Sequence, residues 1–318
     1  MNRKRIWELA RALARLTSQK LARLRVPTRV PENYVDLLLA RFDTAYRANE
    51  LREAIDLFNR LAEHRYLKAT SSRGFDRSRR SIVSSFQPKS GGTFLHNRML
   101  EAGYAEYWWN LPDFRCHSRC YPSTVALPNY LAGGCTSHSH FLPHDSVIEQ
   151  LRFHGVEKIW VHLRHPAESA VSAYYHYQGC GHGEGKVGKQ RREQALLEAR
   201  RNGLPPTQSI SEFVTAQIDW HISWTESWLA FADLNPGFVQ FSYFEELTDA
   251  RALLQRVFAS FDVSSARHIS TTPKSIDRYR KRIATDWRSQ IGPDAAESVA
   301  NQVSVRLRPF SQGSRLCA

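Results

Sequence analysis

Residues 84–100 have the sequence SSFQPKSGGTFLHNRML, in which a lysine precedes two glycines and a helix-forming run follows them. Residues 81–86, SIVSSF, are typical of a short strand. A strand, a glycine-containing turn and a helix together can bind an anion, because the amides at the start of the helix point at the oxyanion. We call residues 88–93 the anion loop. Its Lys89 stands before the glycines, whereas the ordinary phosphate loop has its lysine after them.

The chain on the carboxyl side of this loop alternates between strand-like and helix-like segments. Residues 157–166, EKIWVHLRHP, predict a buried strand that ends at a proline, and this proline begins a helix. Residues 210–234 predict a long aromatic-rich helix, and a strand and a helix follow over 237–261. Alternation of this kind indicates a single P-loop-type α/β domain with a central, mainly parallel sheet flanked by helices. We expect this domain to span residues 71–318.

Residues 1–70 predict a helical, basic N-terminal extension with apolar positions at intervals of three and four residues. The first 27 residues hold one acidic residue among many basic ones. A solvated basic helix is the favoured interpretation, and peripheral membrane contact through this helix is the alternative. No apolar run approaches the roughly 20 residues that a spanning helix needs. The expectation is therefore a soluble, cytoplasmic protein.

The formal net charge of +13 favours anionic partners: nucleic acid, an anionic membrane surface, or phosphorylated and sulfated small molecules. No zinc-finger spacing, RNA-recognition signature or basic zipper region occurs in the sequence, so nucleic acid is not an expected partner. Cysteines and histidines that could ligate zinc cluster in one part of the sequence: Cys116, His117, Cys120, Cys135, His138 and His140. The second ligand pair of a zinc site is missing there, which disfavours a metal, while a disulfide within this segment stays open.

Two further basic features accompany the anion loop. Arg164 ends the predicted strand and Ser172 follows eight positions later on the predicted helix, an arrangement that suits a phosphate monoester. Taken alone, an arginine such as Arg164 is more often a partner in a structural ion pair. Near the carboxyl end, Arg280, Lys281 and Arg282 form a run that could close over a second phosphate, although such a run alone is typical of a solvated loop.

Together these stretches resemble the sulfotransferases that use 3′-phosphoadenosine 5′-phosphosulfate (PAPS). The anion loop and the following residue are similar to that family's P-K-S-G-T-T-W, with departures at Gly92 and Phe94. Residues 164–172 are similar to R-[DN]-P-x-x-x-x-x-S, with His165 in the acidic or amide position. The resemblance covers about residues 80 to 295, with its motifs in the family's order.

Two weaker segments extend the resemblance. Residues 280–288 resemble R-K-G-x-x-G-D-W-K, although Arg282 and Thr285 stand where the family has glycines. A further segment resembles Y-E-D-L, with Phe244 in the tyrosine position and Tyr243 one place earlier, so adenine contact by either ring is in doubt. Three tryptophans at a spacing of four predict a core stripe rather than cofactor contacts: Trp220, Trp224 and Trp228.

The resemblance implies in-line transfer of a sulfuryl group from PAPS, as co-substrate, to an acceptor hydroxyl, with release of adenosine 3′,5′-bisphosphate and no required metal ion. It places the catalytic Lys89 on the bridging and sulfuryl oxygens, where negative charge develops. The residues implied for the 5′ side of the co-substrate are Lys89, Ser90, Gly91, Gly92 and Thr93. The residues implied for the 3′-phosphate are Arg164, Ser172, Arg280, Lys281 and Arg282.

The acceptor hydroxyl needs a base, and the family often uses a histidine between the loop and the arginine strand. Residues 136–146, TSHSHFLPHDS, resemble the family's T-H-L-P with one inserted residue. His140 is the favoured base, His138 is its competitor and His144 is a distant third. The unperturbed pKa of histidine, near 6.5, suits the role.

Two alternatives stay open: a non-catalytic binder of nucleic acid or acidic polysaccharide, and a nucleotide kinase-like enzyme. The kinase would need a lysine after the glycines and a magnesium-binding acidic residue, and neither is evident. The acceptor is undetermined among a carbohydrate, a lipid, a small alcohol or phenol and a peptide tyrosine. Its pocket is expected to draw on residues 110–147 and 178–208. Oligomeric state is not predicted.

Overall fold

The computed structural model describes isolated helical positions between Leu38 and Leu61 and the residues 76–107, 110–112, 120–122, 126–177, 209–263 and 286–317. For 110–112 and 120–122 the backbone alone is described. Most of the predicted 1–70 extension and its boundary with the α/β domain lie outside these residues. Four of the isolated helical positions belong to the main hydrophobic core: Leu38, Ala45, Leu57 and Leu61.

The central sheet is parallel. The described strands are β1 Ser84–Phe86, β2 Ala105–Glu106, β3 Asn110–Pro112, β4 Cys120–Pro122, β5 Cys135–Thr136, β6 Ile159–Leu163 and β7 Val239–Tyr243. β6 lies between β1 and β7, with Val161 opposite both Ser85 and Phe241. A bridge from Ile82 to Thr136 joins β5 and its partner β2 to the edge next to β1. β3 and β4 pair separately as an antiparallel ribbon.

Helices cover both faces of this sheet. The described α-helices are α1 Gly92–Glu101, α2 Ala126–Leu131, α3 Asp145–Phe153, α4 Pro166–Tyr177, α5 Ile210–Leu234, α6 Ala250–Ser260, α7 Trp287–Ile291 and α8 Pro293–Leu307. Two 3₁₀ helices span Phe244–Asp249 and Gly313–Leu316. The predicted P-loop-type α/β class with a mainly parallel sheet is therefore confirmed.

The alternation of side chains along β6 separates two cores. Ile159, Val161 and Leu163 face the larger core, to which α4, α5 and α8 contribute. Trp160 faces the second core, which is completed by apolar residues of α1 and α6. All five residues of β6 are buried, as expected of a central parallel strand. Because β1, β6 and β7 are parallel, the loops that follow them meet at one edge of the sheet.

The predicted helix bounds agree with the structure where local signals are strong. Ser209 caps α5 through a reciprocal capping box with Glu212, and α4 begins at Pro166 as predicted. Gly103 follows the end of α1 with a left-handed φ of 97°. Among the described helices, none is both long and apolar enough to cross a membrane.

Candidate active site

The anion loop joins β1 to α1 at the carboxyl edge of the sheet and has an unusual backbone. Lys89 has a φ of 68° and Gly91 a φ of 93°, both in the left-handed region. A non-glycine residue there costs on the order of 1–2 kcal/mol, so surrounding contacts must hold Lys89 in place. The Ser90 amide donates to the Gln87 carbonyl at 3.0 Å, which closes the loop into a tight turn.

Two side chains from the end of β6 bind successive carbonyls of the loop. Arg164 Nη1 donates to the Lys89 carbonyl at 3.1 Å, and His162 Nε2 lies 3.0 Å from the Ser90 carbonyl oxygen. The Arg164 amide also donates to the Gln87 side-chain oxygen at 2.6 Å. The carbonyls of residues 89 and 90 are thus held toward β6, against the sheet.

The first turn of α1 offers donors and little negative charge. α1 has no side-chain N-cap and no acidic residue in its first turn, so its amides and the positive end of its dipole face the anion loop. The Ser90 hydroxyl is buried with no hydrogen-bond partner among the described residues. Lys89 is half-buried and Thr93 is exposed at this end of the helix. This arrangement can bind an oxyanion.

Both glycines of the loop are sterically required. A Cβ on Gly92 would lie 2.7 Å from Phe86 Cβ and 3.0 Å from His138 Nε2. A Cβ on Gly91 would meet the end of Leu247 at 2.7 Å in addition to the strained φ. The threonine that the resembling family has at position 92 does not fit this packing, which explains the departure at that position.

Arg164 follows the end of β6, the strand end at which the sequence predicts it, and there it lies beside the loop and is already paired. Its Nε donates to Glu168 at 2.9 Å, and its guanidinium stacks on Phe244 at 4.1 Å from the ring centroid. Burial raises the pKa of Glu245, and the neighbouring Glu168 raises it further. Two carboxylates therefore stand near the cation that was expected to meet a phosphate. Ser172 lies half-buried on α4.

His165 performs the capping role of the acidic or amide residue that it replaces. Its Nδ1 accepts a hydrogen bond from the Ala167 amide at 3.1 Å, at the start of α4. The ring stacks on Trp287 at 5.3 Å, and Arg288 covers the same indole at 4.7 Å from its centroid. Burial lowers the pKa of His165 to about 4, so the ring is neutral at pH 7.

The carboxyl end of the 280–288 segment therefore contacts the 164–172 segment, through the stacking of Trp287 on His165. Asp286 caps α7 by accepting from the Arg288 amide at 3.2 Å. The predicted phosphate contacts Arg280, Lys281 and Arg282 lie outside the described residues.

The segment that carries the candidate bases runs beside β1. The Phe86 amide donates to the Ser139 carbonyl at 2.8 Å, and the Ser85 hydroxyl donates to the Phe141 carbonyl at 2.7 Å. From α5, the Trp224 indole N–H donates to the His140 carbonyl at 3.2 Å, and Trp228 donates to that of Phe141 at 3.1 Å. Trp224 and Trp228 are buried, as the core interpretation of the tryptophan stripe predicted, while Trp220 is partly buried against the same core.

His140 and His138 lie together at the front of the loop. His140 Nδ1 lies 2.5 Å from the Phe86 carbonyl oxygen. A carbonyl can only accept, so Nδ1 carries the hydrogen and the lone pair of the neutral ring is on Nε2. The two rings meet edge to face with centroids 4.6 Å apart. Behind His138, the His96 ring lies at 5.9 Å, and its Nε2 is 3.6 Å from Glu106. His144, the third candidate, is exposed at the start of α3.

Sequence reasoning missed two buried histidines beside the loop. The pKa of His162 is lowered to about 3, chiefly by burial. The hydrogen bond to the Ser90 carbonyl opposes this by raising the pKa, and the charges of Arg164 and Arg256 also lower it. His221 of α5 also has its pKa lowered to about 3, by burial first and then by the charges of Arg164 and Lys89. Neither histidine belongs to a motif, so only the fold places it at the site.

The cysteine and histidine cluster is described only in part. Cys116, His117 and the side chain of Cys120 lie outside the described residues. Cys135 is a free, buried thiol that contacts the Gly133 carbonyl, and burial raises its pKa to about 12. Within the described part of the chain, no group of three or more histidine, cysteine or acidic side chains could hold a metal ion.

Comparison with known proteins identifies the fold. No protein-family model matches the chain, and no curated protein does. Among solved structures the chain is similar to mouse sulfotransferase SULT7A1 complexed with PAP, with a TM-score of 0.51 and 15% sequence identity over 80% of this chain and 92% of that one. At this identity the likeness shows a common fold, the sulfotransferase-like α/β fold.

Proposed function

We propose that the protein transfers a sulfuryl group from PAPS to an acceptor hydroxyl and releases adenosine 3′,5′-bisphosphate. The observation that carries the proposal is the anion loop, whose carbonyls are turned toward β6 and whose helix amides face outward beside Lys89. The three motifs that resemble PAPS-dependent sulfotransferases support it. A solved neighbour of the same fold was crystallised with PAP, which is also consistent with this donor.

The 5′-phosphosulfate would lie over the anion loop. The amides of Gly91, Gly92 and Thr93 would hold the 5′-phosphate together with the Ser90 and Thr93 hydroxyls. Lys89 would lie by the bridging oxygen, where negative charge develops as the sulfur–oxygen bond to the leaving bisphosphate breaks. Little covalent help is needed, because alignment and charge stabilisation perform most of the work in transfers of this kind.

The 3′-phosphate would lie beside Arg164. The guanidinium is held flat on Phe244 and keeps donors beyond those used by Glu168 and the Lys89 carbonyl, since the group carries five N–H bonds. Ser172 and the run Arg280, Lys281 and Arg282 would complete this side.

The base would be His140. Its Nδ1–H is committed to the Phe86 carbonyl, so Nε2 is the nitrogen that can accept the proton of the acceptor hydroxyl. An orienting hydrogen bond on the far nitrogen is the arrangement that a general-base histidine requires. His138 lies edge-on to this ring and packs against Gly92, where it shapes the front of the loop.

Calorimetric titration of the full chain tests the donor site. Adenosine 3′,5′-bisphosphate is titrated beside AMP, and beside ATP without magnesium. We expect tight binding that requires the 3′-phosphate and weakens at least tenfold in Lys89→Ala and Arg164→Ala, since each removes a charge-assisted contact of about 1.5–3 kcal/mol.

Arg152→Ala is the matched control. Its guanidinium contacts Asn235 and Phe238 at the opposite, amino edge of the sheet, so it tests the loss of a positive charge alone. Equal binding of bisphosphate and AMP would refute the donor assignment. Steeply salt-dependent polyanion binding without turnover would instead favour the non-catalytic alternative.

A further inference from the structure

A buried chain of polar groups crosses the sheet behind the anion loop. The Trp160 indole N–H donates to Ser242 Oγ at 2.7 Å, the same oxygen lies 2.7 Å from His162 Nδ1, and His162 Nε2 reaches the Ser90 carbonyl at 3.0 Å. All four residues have 0% exposure. These hydrogen bonds thus link β6 and β7 to the anion loop, on the face of the sheet that carries α1 and α6.

When His162 is neutral, only one assignment of donors and acceptors satisfies all three of these hydrogen bonds. The Ser90 carbonyl only accepts, so Nε2 must carry the ring hydrogen and Nδ1 must accept. Ser242 then donates its single hydroxyl hydrogen to Nδ1 and accepts from Trp160. The opposite tautomer would set the Nε2 lone pair against the lone pairs of the carbonyl. Burial lowers the pKa of His162 to about 3, so the neutral ring is the state at pH 7.

The geometry of a trans peptide transmits this contact to the ligand side. All described peptide bonds are trans, so the N–H of Gly91 points away from the Ser90 carbonyl in the same plane. With that carbonyl held toward His162, the Gly91 amide faces away from the sheet, on the side of the α1 amides. Arg164 holds the preceding carbonyl, of Lys89, in the same sense.

We propose that His162 is a positioning residue: by donating from Nε2 to the Ser90 carbonyl it orients the Gly91 amide toward the bound anion, and Ser242 and Trp160 fix the tautomer that makes this donation. The identity of the anion as a 5′-phosphosulfate rests on the proposed function. Because its two ring nitrogens are both occupied within the sheet, His162 takes no part in proton transfer.

Two substitutions separate the donated hydrogen bond from simple packing. His162→Leu removes the donor and leaves the Ser90 carbonyl buried and unpaired. We expect its affinity for adenosine 3′,5′-bisphosphate to fall about tenfold, whereas His162→Gln, whose amide nitrogen can reach the same carbonyl, stays within about threefold of the wild type. Val161→Ala is the control, because it opens a cavity on the opposite face of the same strand. It should lower the midpoint of thermal unfolding without changing affinity.

A spectroscopic measurement keeps the inference testable if His162→Leu fails to fold. Nitrogen-15 NMR of histidine-labelled wild-type chain should show a neutral Nε2–H tautomer for His162 at pH 7. In Ser242→Ala, which removes the donor to Nδ1, the preference for this tautomer should weaken, although the Ser90 carbonyl still favours it, and the bisphosphate affinity should drop. An Nδ1–H tautomer or a charged ring in the wild type would overturn the inference. Equal affinity losses in His162→Leu, His162→Gln and Val161→Ala would overturn it as well.

Inorganic pyrophosphate distinguishes this failure from that of the proposed function. If the wild type binds pyrophosphate but not the bisphosphate, and the His162 pattern holds for pyrophosphate, the donor assignment fails and the positioning role stands. If the bisphosphate binds and its affinity does not change in the His162 variants, the donor assignment stands and the positioning role of His162 fails. A wild type that binds neither anion refutes both.

Discussion

His140 and His162 each place one ring nitrogen on a backbone carbonyl of the segment that forms β1 and the anion loop, yet their surroundings differ. His140 meets the Phe86 carbonyl from the front, where the ring is half-buried. His162 meets the Ser90 carbonyl from within the sheet, with 0% exposure and its second nitrogen bound to Ser242.

The difference shows that burial and the second nitrogen decide what a histidine can do at this site. A wholly buried ring with two committed nitrogens stays neutral and acts as a hydrogen-bonding strut. In the half-buried His140 the hydrogen is on Nδ1, so Nε2 is the nitrogen that would accept a proton under the proposed function. We therefore separate front histidines, His138 and His140, from rear histidines, His162, His165 and His221.

The largest expected effect belongs to the front pair. His140→Gln removes the base but keeps a polar side chain, so turnover with PAPS should fall about 10²- to 10⁴-fold, the usual worth of general-base catalysis. Bisphosphate affinity should be nearly unchanged, because the proposed function assigns His140 to the acceptor hydroxyl and not to the bisphosphate. Steady-state kinetics with an identified acceptor, beside calorimetry, measures the split.

His138→Gln is the matched comparison and should reduce turnover much less, because His138 lies beside His140, the proposed base, and packs on Gly92. A larger loss in His138→Gln than in His140→Gln would exchange the two roles.

The rear histidines should make the fold sensitive to acid. Their pKa values in the folded chain are lowered to about 3, 4 and 3 for His162, His165 and His221. In the unfolded chain each titrates near 6.5. As the pH falls below about 6.5, the unfolded state takes up protons that the folded state does not, so stability is lost by about 1.4 kcal/mol per pH unit for each fully shifted histidine.

Urea unfolding of His221→Gln between pH 7 and 4.5 tests this. The variant should lose about one such increment from the slope of unfolding free energy against pH. His144→Gln, which makes the same substitution at an exposed position, is the control. An unchanged slope in His221→Gln would mean that this ring charges within the folded state.

The smallest expected effect concerns Glu168, the ion-pair partner of Arg164. This carboxylate is paired with Arg164 and would compete with the proposed 3′-phosphate for it. Glu168→Gln should therefore raise affinity for adenosine 3′,5′-bisphosphate by about threefold to fivefold, in line with the loss of one partly exposed ion pair. Affinity for AMP should not change. Calorimetry measures both, with the exposed Glu157→Gln as the control. A weaker bisphosphate complex would instead make Glu168 an orienting partner of Arg164.

The fold could be predicted from the sequence because its decisive signals are local. Pro166, the capping box at Ser209 and the glycines of the anion loop each set a boundary within a few residues. The position of Arg164 at a strand end was predicted for the same reason. Its pairing with Glu168, only four positions later, is also local in sequence.

The contacts of the rear histidines His162 and His221 could not be predicted, because their partners are distant in sequence. His162 and Ser242 lie 80 positions apart and meet only when β6 pairs with β7. His221 reaches the site from α5, through packing that no motif encodes. The assignments of Lys89, His140, Ser172 and the 280–282 run to particular substrate atoms stay predictions.

The close packing of Gly92, Phe86 and His138 has a consequence for how this protein can diverge. A side chain at position 92 and the present rings at 86 and 138 exclude one another, so these three positions form one unit of sequence change. Because the shortest contact of a Cβ at 92 is with Phe86 Cβ at 2.7 Å, threonine at 92 needs a shift of the β1 backbone as well as a different placement of the two rings. Homologous chains should therefore carry one combination or the other, and the intermediates should be rare.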